Sequence, residues 1–160
     1  MTQDKSARYL KSNFYEQLVE HAFISELLQE AWFRYGKTVE VLRSEIDSSG
    51  YDLLLECNGV IRYVQFKNSI AGSKTAYQKI NIALAEKPSG CVVWLMREED
   101  EDTCRVKLRY LFFGNPPGEP LPLKRRDVHK FISFFLIRSS IKKLAHHKCR
   151  FRNSECGIKN

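Results

Sequence analysis

Hydrophobic residues recur every three or four positions in the first quarter of the chain, the spacing of an amphipathic helix. The pattern predicts a helix that starts near Asn13, with Glu16 in capping-box position, and ends at Gly36. Its predicted apolar stripe is made of Leu18, Ala22, Phe23, Leu27, Leu28, Ala31 and Trp32. We expect this stripe to pack against the rest of the domain.

Apolar runs after this helix predict five strands and a second helix. The strands are expected at 39–42, 51–57, 60–67, 91–96 and 105–113, and the helix at 73–86. Asn58-Gly59 lies between two β-rich runs and predicts a tight hairpin. The helix can act as a crossover to a parallel strand, and the acidic residues 98–102 are expected to form a loop.

The remaining chain predicts a short C-terminal helical segment. Residues 114–122 form a Pro- and Gly-rich connection, after which Asp127 can cap a helix with Val128, Phe131 and Phe135 on its apolar side. The element order predicts an α/β fold of one domain, with a mixed sheet flanked by helices. We assign residues 1–123 to the core and 124–160 to a basic extension of the same domain.

Composition favours a cytoplasmic protein without a membrane span. Five cysteines occur without a C-x-x-C pair, and residues 1–20 are polar, unlike a secretory leader. The apolar run at 131–137 is far too short to cross a bilayer. With 160 residues and 43% hydrophobic content, the chain can bury the core of one domain.

The net charge of +7 is concentrated at the C-terminus. Residues 124–160 hold 11 Lys and Arg against 2 acids, a net of +9, whereas residues 1–123 hold 15 against 17, a net of −2. This favours a polyanion such as nucleic acid as partner, and a solvated tail is the alternative. Candidate DNA contacts are Lys124, Arg125, Arg126, Lys142, Lys143, Lys148, Arg150 and Arg152. The spacing of His146, His147, Cys149 and Cys156 argues against a zinc site.

The hairpin predicts a group of chemically active residues. With a two-residue turn, cross-strand partners have numbers that sum to 117, so Asp52 falls opposite Gln65. Lys67 lies two residues further along the same face. Asp52, the Gln65 side-chain oxygen and the Phe66 carbonyl could bind Mg²⁺ or Mn²⁺, which activates water for phosphodiester hydrolysis. Lys67 could orient that water or stabilise the phosphate.

A further carboxylate is expected from the first helix. Glu20 continues the apolar face of Ile24, Leu27 and Ala31, so it is placed near the core and could hold a metal or its water. The alternative is an ordinary exposed charge. Asp52 could instead be an ordinary turn residue that starts a strand. Gln65 and Lys67 could instead be solvent-facing strand residues.

The segments around Glu20, Gly50–Leu53 and Val64–Lys67 resemble the PD-(D/E)xK nuclease superfamily, in the branch with Q-x-K as in Mrr-type endonucleases. The resemblance covers residues 14–96. It implies a restriction endonuclease-like fold, metal dependence and a DNA substrate. It also implies that Glu20 is the helix acid, Asp52 the metal-binding aspartate, Gln65 the variant third position and Lys67 the catalytic lysine.

Two departures from the family pattern bear on activity. Tyr51 stands where many members have proline, which is a mild change. Gln65 removes one negative charge, so metal binding is expected to be weaker. The expected function is a Mg²⁺- or Mn²⁺-dependent DNA endonuclease, with a homodimer as one arrangement for cutting two strands. The alternative is a nuclease-like fold that binds DNA or a protein without cutting.

Overall fold

The computed structural model describes residues 12–45, 49–74 and 78–122, together with the backbone of residues 135–136. Its elements are α1 (Ser12–Tyr35), β1 (Glu40–Arg43), β2 (Leu53–Cys57), β3 (Val60–Ile70), α2 (Ile82–Ala85), β4 (Gly90–Asp100), β5 (Arg105–Gly114) and β6 (Phe135–Leu136). The strands form one sheet in the order β1-β2-β3-β4-β5-β6. Only the β3–β4 pair is parallel among these neighbours, so the predicted mixed α/β architecture is confirmed.

Helix α1 lies at the predicted place but begins one residue earlier than expected. It starts at Ser12, so Asn13 lies inside the helix and does not cap it; the capping position falls outside the described residues. Gly36 ends the helix with a φ of +61°, and its N–H donates to the Trp32 carbonyl at 3.0 Å. Glycine suits this position because a left-handed φ costs it little.

The face that α1 buries differs from the predicted stripe. Phe23, Leu27 and Ala31 are buried as expected, together with Val19. The predicted positions Leu18, Leu28 and Trp32 are instead exposed. The buried face packs on the sheet, where Phe23 meets Phe66 and Tyr110 edge to face, with ring centroids 5.4 Å and 5.3 Å apart. This contact fixes the helix over β3 and β5.

The opposite face of the sheet carries a smaller apolar cluster. Its buried members are Ile80, Leu84, Val92 and Leu121. The predicted helix at 73–86 is wrong over most of its described length, because only Ile82–Ala85 is helical and residues 78–81 are not. Asn81 caps this turn, its side chain accepting from the Ala83 N–H at 3.0 Å. Residues 75–77, including Tyr77, lie outside the described residues.

Strands β4 and β5 are longer than predicted. Residues 98–100 were expected in a loop, but they belong to β4 and pair with β5. Ion pairs join the two strands, at 2.7 Å between Lys107 and Asp100 and at 3.3 Å between Arg109 and Glu98. Opposite charges on neighbouring strands stabilise the pairing of β4 with β5. The strands therefore continue through the acidic residues, and only residues 101–104 form the turn.

At the C-terminus, Phe135 and Leu136 pair with β5 as a short antiparallel strand. The predicted C-terminal helix therefore does not extend through Phe135. The rest of that prediction lies outside the described residues. Within the described ranges, no helix has both the length and the hydropathy of a bilayer-crossing segment.

Candidate functional site

The hairpin that builds the site has the predicted register. Cys57 pairs with Val60, and the ladder continues to Leu53 opposite Val64, so partner numbers sum to 117 throughout. Asn58 and Gly59 form the turn with φ values of 51° and 78°. Two positive φ angles in a two-residue loop are the mark of a type I′ turn, which Asn-Gly favours. The register prediction is confirmed from Cys57 to Leu53.

At Asp52 the chain turns away from β3. The Asp52 N–H donates to the Val64 carbonyl at 2.9 Å, although Leu53 is the paired residue of Val64. Asp52 and Leu53 thus both lie opposite Val64, and two residues of one strand opposite one residue of its neighbour form a β-bulge. Consistent with it, Leu53 packs in the cluster beneath α1 whereas Tyr51 packs against Tyr63 on the other face. The strands thus fork at Asp52.

The Asp52 carboxylate lies in this fork and contacts the backbone of β3. Its Oδ2 accepts a hydrogen bond from the Phe66 N–H at 2.5 Å. The N–H and C=O of one strand residue point to the same edge, so the Phe66 carbonyl also points towards the fork. The predicted pairing of Asp52 with Gln65 is therefore wrong. The bulge instead brings the Asp52 carboxylate to the backbone of Phe66, between Gln65 and Lys67.

Gln65 and Lys67 share the face of β3 that looks away from α1. Gln65 is buried at 7% exposure, and its Oε1 accepts a hydrogen bond from the Asn81 N–H at 3.1 Å. The amide therefore ties β3 to the cap of α2. Lys67 is half-buried and lies in register with Trp94 of β4. Trp94 in turn donates its indole N–H to Ser69 at 2.8 Å.

Glu20 approaches the same end of the sheet from α1. Its side chain is only 16% exposed, and its Oε2 accepts from the Arg43 guanidinium at 3.3 Å. Burial raises the pKa of Glu20; Arg43 lowers this pKa, and the negative charge of Asp52 raises it further. The predicted position near the core is confirmed, and the two carboxylates are close enough to influence each other.

The donors at the fork suit a hard divalent cation. Two carboxylates, Asp52 and Glu20, and the Phe66 carbonyl offer oxygen atoms, and Mg²⁺ binds such atoms while keeping several waters. In the described part of the chain, no group of three or more His, Cys, Asp or Glu side chains is arranged to hold a metal. The residues present fit an ion that water and substrate oxygens also coordinate.

Three polar residues near this end of the sheet were not anticipated. Arg43 of β1 holds Glu20. Asn68 of β3 and Arg97 of β4 occupy positions that continue the buried face of their strands. Among the described residues, the buried Oδ1 of Asn68 and the buried Nε of Arg97 have no hydrogen-bond partner. The Arg97 guanidinium lies 4.7 Å above the Tyr15 ring. In the sequence, Asn68 and Arg97 could have been found as polar residues at positions where the alternation of each strand calls for a buried apolar residue.

The predicted DNA contacts of residues 124–160, and the residues weighed for zinc, lie outside the described residues. A shallow cavity of about 350 Å³ is lined by Glu26, Gln29, Glu30, Phe33 and Tyr110. None of the predicted catalytic residues lines it. Compared with protein-family models, curated proteins and solved structures, the chain has no match, so its function is argued from the fork at Asp52 and the residues around it.

Proposed function

We propose that this chain is a metal-dependent DNA endonuclease of restriction endonuclease-like fold that hydrolyses phosphodiester bonds. The observation that carries the proposal is the Asp52 carboxylate in the fork between β2 and β3, bonded to the Phe66 N–H. Glu20 lies near enough for the charge of Asp52 to raise its pKa. Lys67 is the next residue of β3 after Phe66. Two acids that influence each other, with a lysine one residue away from the backbone that Asp52 contacts, are the kinds of group that phosphate hydrolysis uses.

Each group would have a distinct role. Asp52, Glu20 and the Phe66 carbonyl would hold Mg²⁺ or Mn²⁺. The ion, when bound, lowers the pKa of a coordinated water so that it can attack phosphorus near neutral pH. Lys67 would donate hydrogen bonds to that water or to a phosphate oxygen, which stabilises negative charge that grows in the transition state. Gln65 would offer a neutral, weaker oxygen through the lone pair that Asn81 leaves free.

A nucleic acid is favoured as substrate by the charge of the chain, and DNA in particular by the resemblance to PD-(D/E)xK nucleases. The net charge of +9 on residues 124–160 suits a phosphate backbone, since each neutralised phosphate releases a counterion. Residues 1–123 carry a net charge of −2, so the rest of the chain adds no attraction of its own. The proposal therefore separates cutting, at the fork, from backbone binding by the basic extension.

The Gln65 contact favours a second candidate function. Its side chain is 7% exposed, and its oxygen already accepts a hydrogen bond from Asn81. A buried amide with a structural partner is a poor substitute for a metal-binding carboxylate. The same geometry therefore suits a nuclease-like fold that binds DNA, or a protein, without cutting.

Plasmid nicking with Mg²⁺ or Mn²⁺ tests the catalytic proposal. Because Lys67 would act on the reacting phosphate or water, Lys67→Ala should slow nicking by about 10²–10³-fold, as expected for loss of one stabilising donor. Lys37→Ala is the control, since it removes the same charge from a residue beyond the end of α1. That end lies about 22 Å from Glu20 along the helix axis. Equal nicking by wild type and Lys67→Ala rejects the assigned role of Lys67.

Calorimetric titration with Mn²⁺ separates the two candidates. The nuclease should bind Mn²⁺, and Asp52→Asn should abolish or strongly weaken the binding because it removes the charged ligand in the fork. Thermal unfolding of the variant in the absence of metal serves as the folding control. A folded wild type that takes up no Mn²⁺, yet binds DNA, supports the non-cutting function.

A further inference from the structure

The outward surface of α1 is unusually apolar for a helix that faces solvent. Five large hydrophobic side chains of α1 are exposed. Phe33, at 81%, lies to one side, and the other four share one surface: Phe14 at 64%, Leu18 at 40%, Leu28 at 37% and Trp32 at 58%. They lie opposite the buried face of Val19, Phe23, Leu27 and Ala31. The helix is thus apolar on two sides, whereas a surface helix ordinarily presents charge to water.

The spacing of the exposed side is that of a coiled-coil seam. Phe14, Leu18, His21, Ser25, Leu28 and Trp32 follow one another at intervals of four and three residues. Alternating steps of four and three are the a and d positions of a heptad repeat, through which two helices pack knobs into holes. We call these six positions the outer seam of α1.

The charged residues of α1 avoid this surface. At 100° per residue, all of them fall on the half of the helix turned towards the sheet; they are Glu16, Glu20, Glu26, Glu30 and Arg34. Several have partners there: Glu20 contacts Arg43, Glu26 accepts from the Tyr110 hydroxyl, and Glu30 pairs with Arg34. The flanks of the outer seam are neutral, with Gln17, Ala22 and Gln29. Charge depletion around an apolar centre is typical of a protein interface.

The outer seam is complementary to itself. Its positions are symmetric about residue 23, so that in an antiparallel pair of α1 helices Phe14 faces Trp32 and Leu18 faces Leu28 of the other copy. His21 then faces Ser25 at the centre. A two-fold interface requires this property, because the same patch must fit itself. With neutral flanks, two copies also meet without like-charge repulsion.

We propose that a second copy of this chain packs against the outer seam, forming a two-fold dimer through antiparallel α1 helices. The exposed parts of the four large side chains amount to about 400 Å² per copy, hence roughly 800 Å² of apolar surface in the dimer. With the polar flanks added, the interface reaches the lower limit of about 1,200 Å² for stable complexes. The dimer should therefore dissociate on dilution.

Sedimentation of the full chain over a range of concentrations tests the dimer without an activity assay, so its outcome is independent of the proposed nuclease function. The wild type should show a concentration-dependent monomer–dimer equilibrium. Leu18→Glu places a charge at two symmetric points of the seam and should weaken association on the order of a hundredfold or more. Leu42→Glu is the matched control, since Leu42 is 52% exposed on β1 and alternates with Val41, which packs in the cluster beneath α1, so it faces the other side of the sheet. It should leave the equilibrium unchanged.

A charge-reversal pair tests the antiparallel direction. In the proposed dimer position 18 faces position 28, so Leu18→Glu combined with Leu28→Lys creates two attractive pairs and should recover part of the lost association. In a parallel pair each residue would face its own copy, and the double variant would stay dissociated. A wild type that remains monomeric at every concentration, or a Leu42→Glu effect equal to that of Leu18→Glu, overturns the proposal. Failure of the double variant to recover overturns the antiparallel arrangement.

Discussion

Replacing Gly50 by alanine should destabilise the protein through two separable effects. Gly50 lies two residues before Asp52 and has a φ of +75°, a conformation that L residues rarely adopt. A Cβ built there would lie 2.8 Å from the Leu84 backbone nitrogen and 3.0 Å from the Asn81 side chain. The glycine therefore lets the chain that leads into β2 pass close against α2.

The magnitude follows from these two terms. Left-handed backbone at a non-glycine residue costs about 1–2 kcal/mol, and forcing extra volume against packed neighbours costs about 1–3 kcal/mol. Gly50→Ala should thus lose roughly 2–5 kcal/mol of unfolding free energy. Gly59 is the matched control, because its φ of +78° is nearly the same but nothing lies within 4 Å of a built Cβ. Gly59→Ala should lose only the backbone term.

Urea unfolding followed by circular dichroism measures the difference. Both variants should lower the transition midpoint with an unchanged m value, and the drop should be larger for Gly50→Ala. Equal midpoints for the two variants would refute the steric argument, because only contacts with α2 distinguish the two glycines. A changed m value would indicate an altered denatured state instead.

Further predictions concern the core and its titration. Phe23→Ala should cost about 3–5 kcal/mol in urea unfolding because Phe23 is 2% exposed, whereas Phe33→Ala on the same helix, 81% exposed, should change stability by less than about 0.5 kcal/mol; similar losses would contradict the packing of α1. Burial raises the pKa of Cys91 to about 12 from an ordinary 9.0, with Arg62 opposing the shift. Cys91 should therefore resist iodoacetamide at pH 8 while exposed Cys104 reacts, as mass spectrometry would show. Since the unfolded thiol loses its proton first, unfolding free energy should fall as pH rises from 9 towards 12, and Cys91→Ala should flatten that fall; an equal slope in the variant would contradict the assignment.

Features set by neighbouring residues were predictable from sequence. Asn58-Gly59 alone determines the turn, and the turn determines every partner in the β2–β3 ladder down to Leu53 opposite Val64. Gly36 ends α1 for an equally local reason. The bulge at Asp52 was beyond this reasoning, because period-two alternation assumes a regular strand. With the bulge, Tyr51 packs against Tyr63 on the face opposite Leu53, which regular alternation does not allow.

Features decided by tertiary contacts were missed. Periodicity could not select the buried side of α1, because the helix has two apolar faces and only packing on the sheet chooses Val19 over Leu18. The acidic stretch beginning at Glu98 resembles a loop when read alone. It extends β4 because basic residues of β5 lie across from it: Lys107 is the paired residue of Glu98, and Arg109 forms a diagonal ion pair with Glu98. The sequence correctly predicted that β4 runs parallel to β3. It also predicted a helix over 73–86, of which only Ile82–Ala85 is helical among the described residues.

At the candidate site, sequence reasoning did not anticipate the contacts that the predicted residues make. Glu20 was expected near the core, yet its partner Arg43 lies 23 positions away in sequence and gave no local signal. Gln65 was predicted to offer its oxygen to a metal shared with Asp52, whereas that oxygen accepts a hydrogen bond from the Asn81 N–H. Asn81 comes from a segment expected to be helical, where its backbone N–H would have been engaged within the helix.

The central claim is that the Asp52 carboxylate, in the fork between β2 and β3, holds a divalent cation together with Glu20. Anomalous diffraction from crystals of the full chain soaked in Mn²⁺ tests it directly. We expect a peak at coordination distance from the carboxylates of both residues, on the side of the fork to which the Phe66 carbonyl points. Crystals that show no peak at Asp52 under saturating Mn²⁺, or a peak bound only elsewhere, would contradict it.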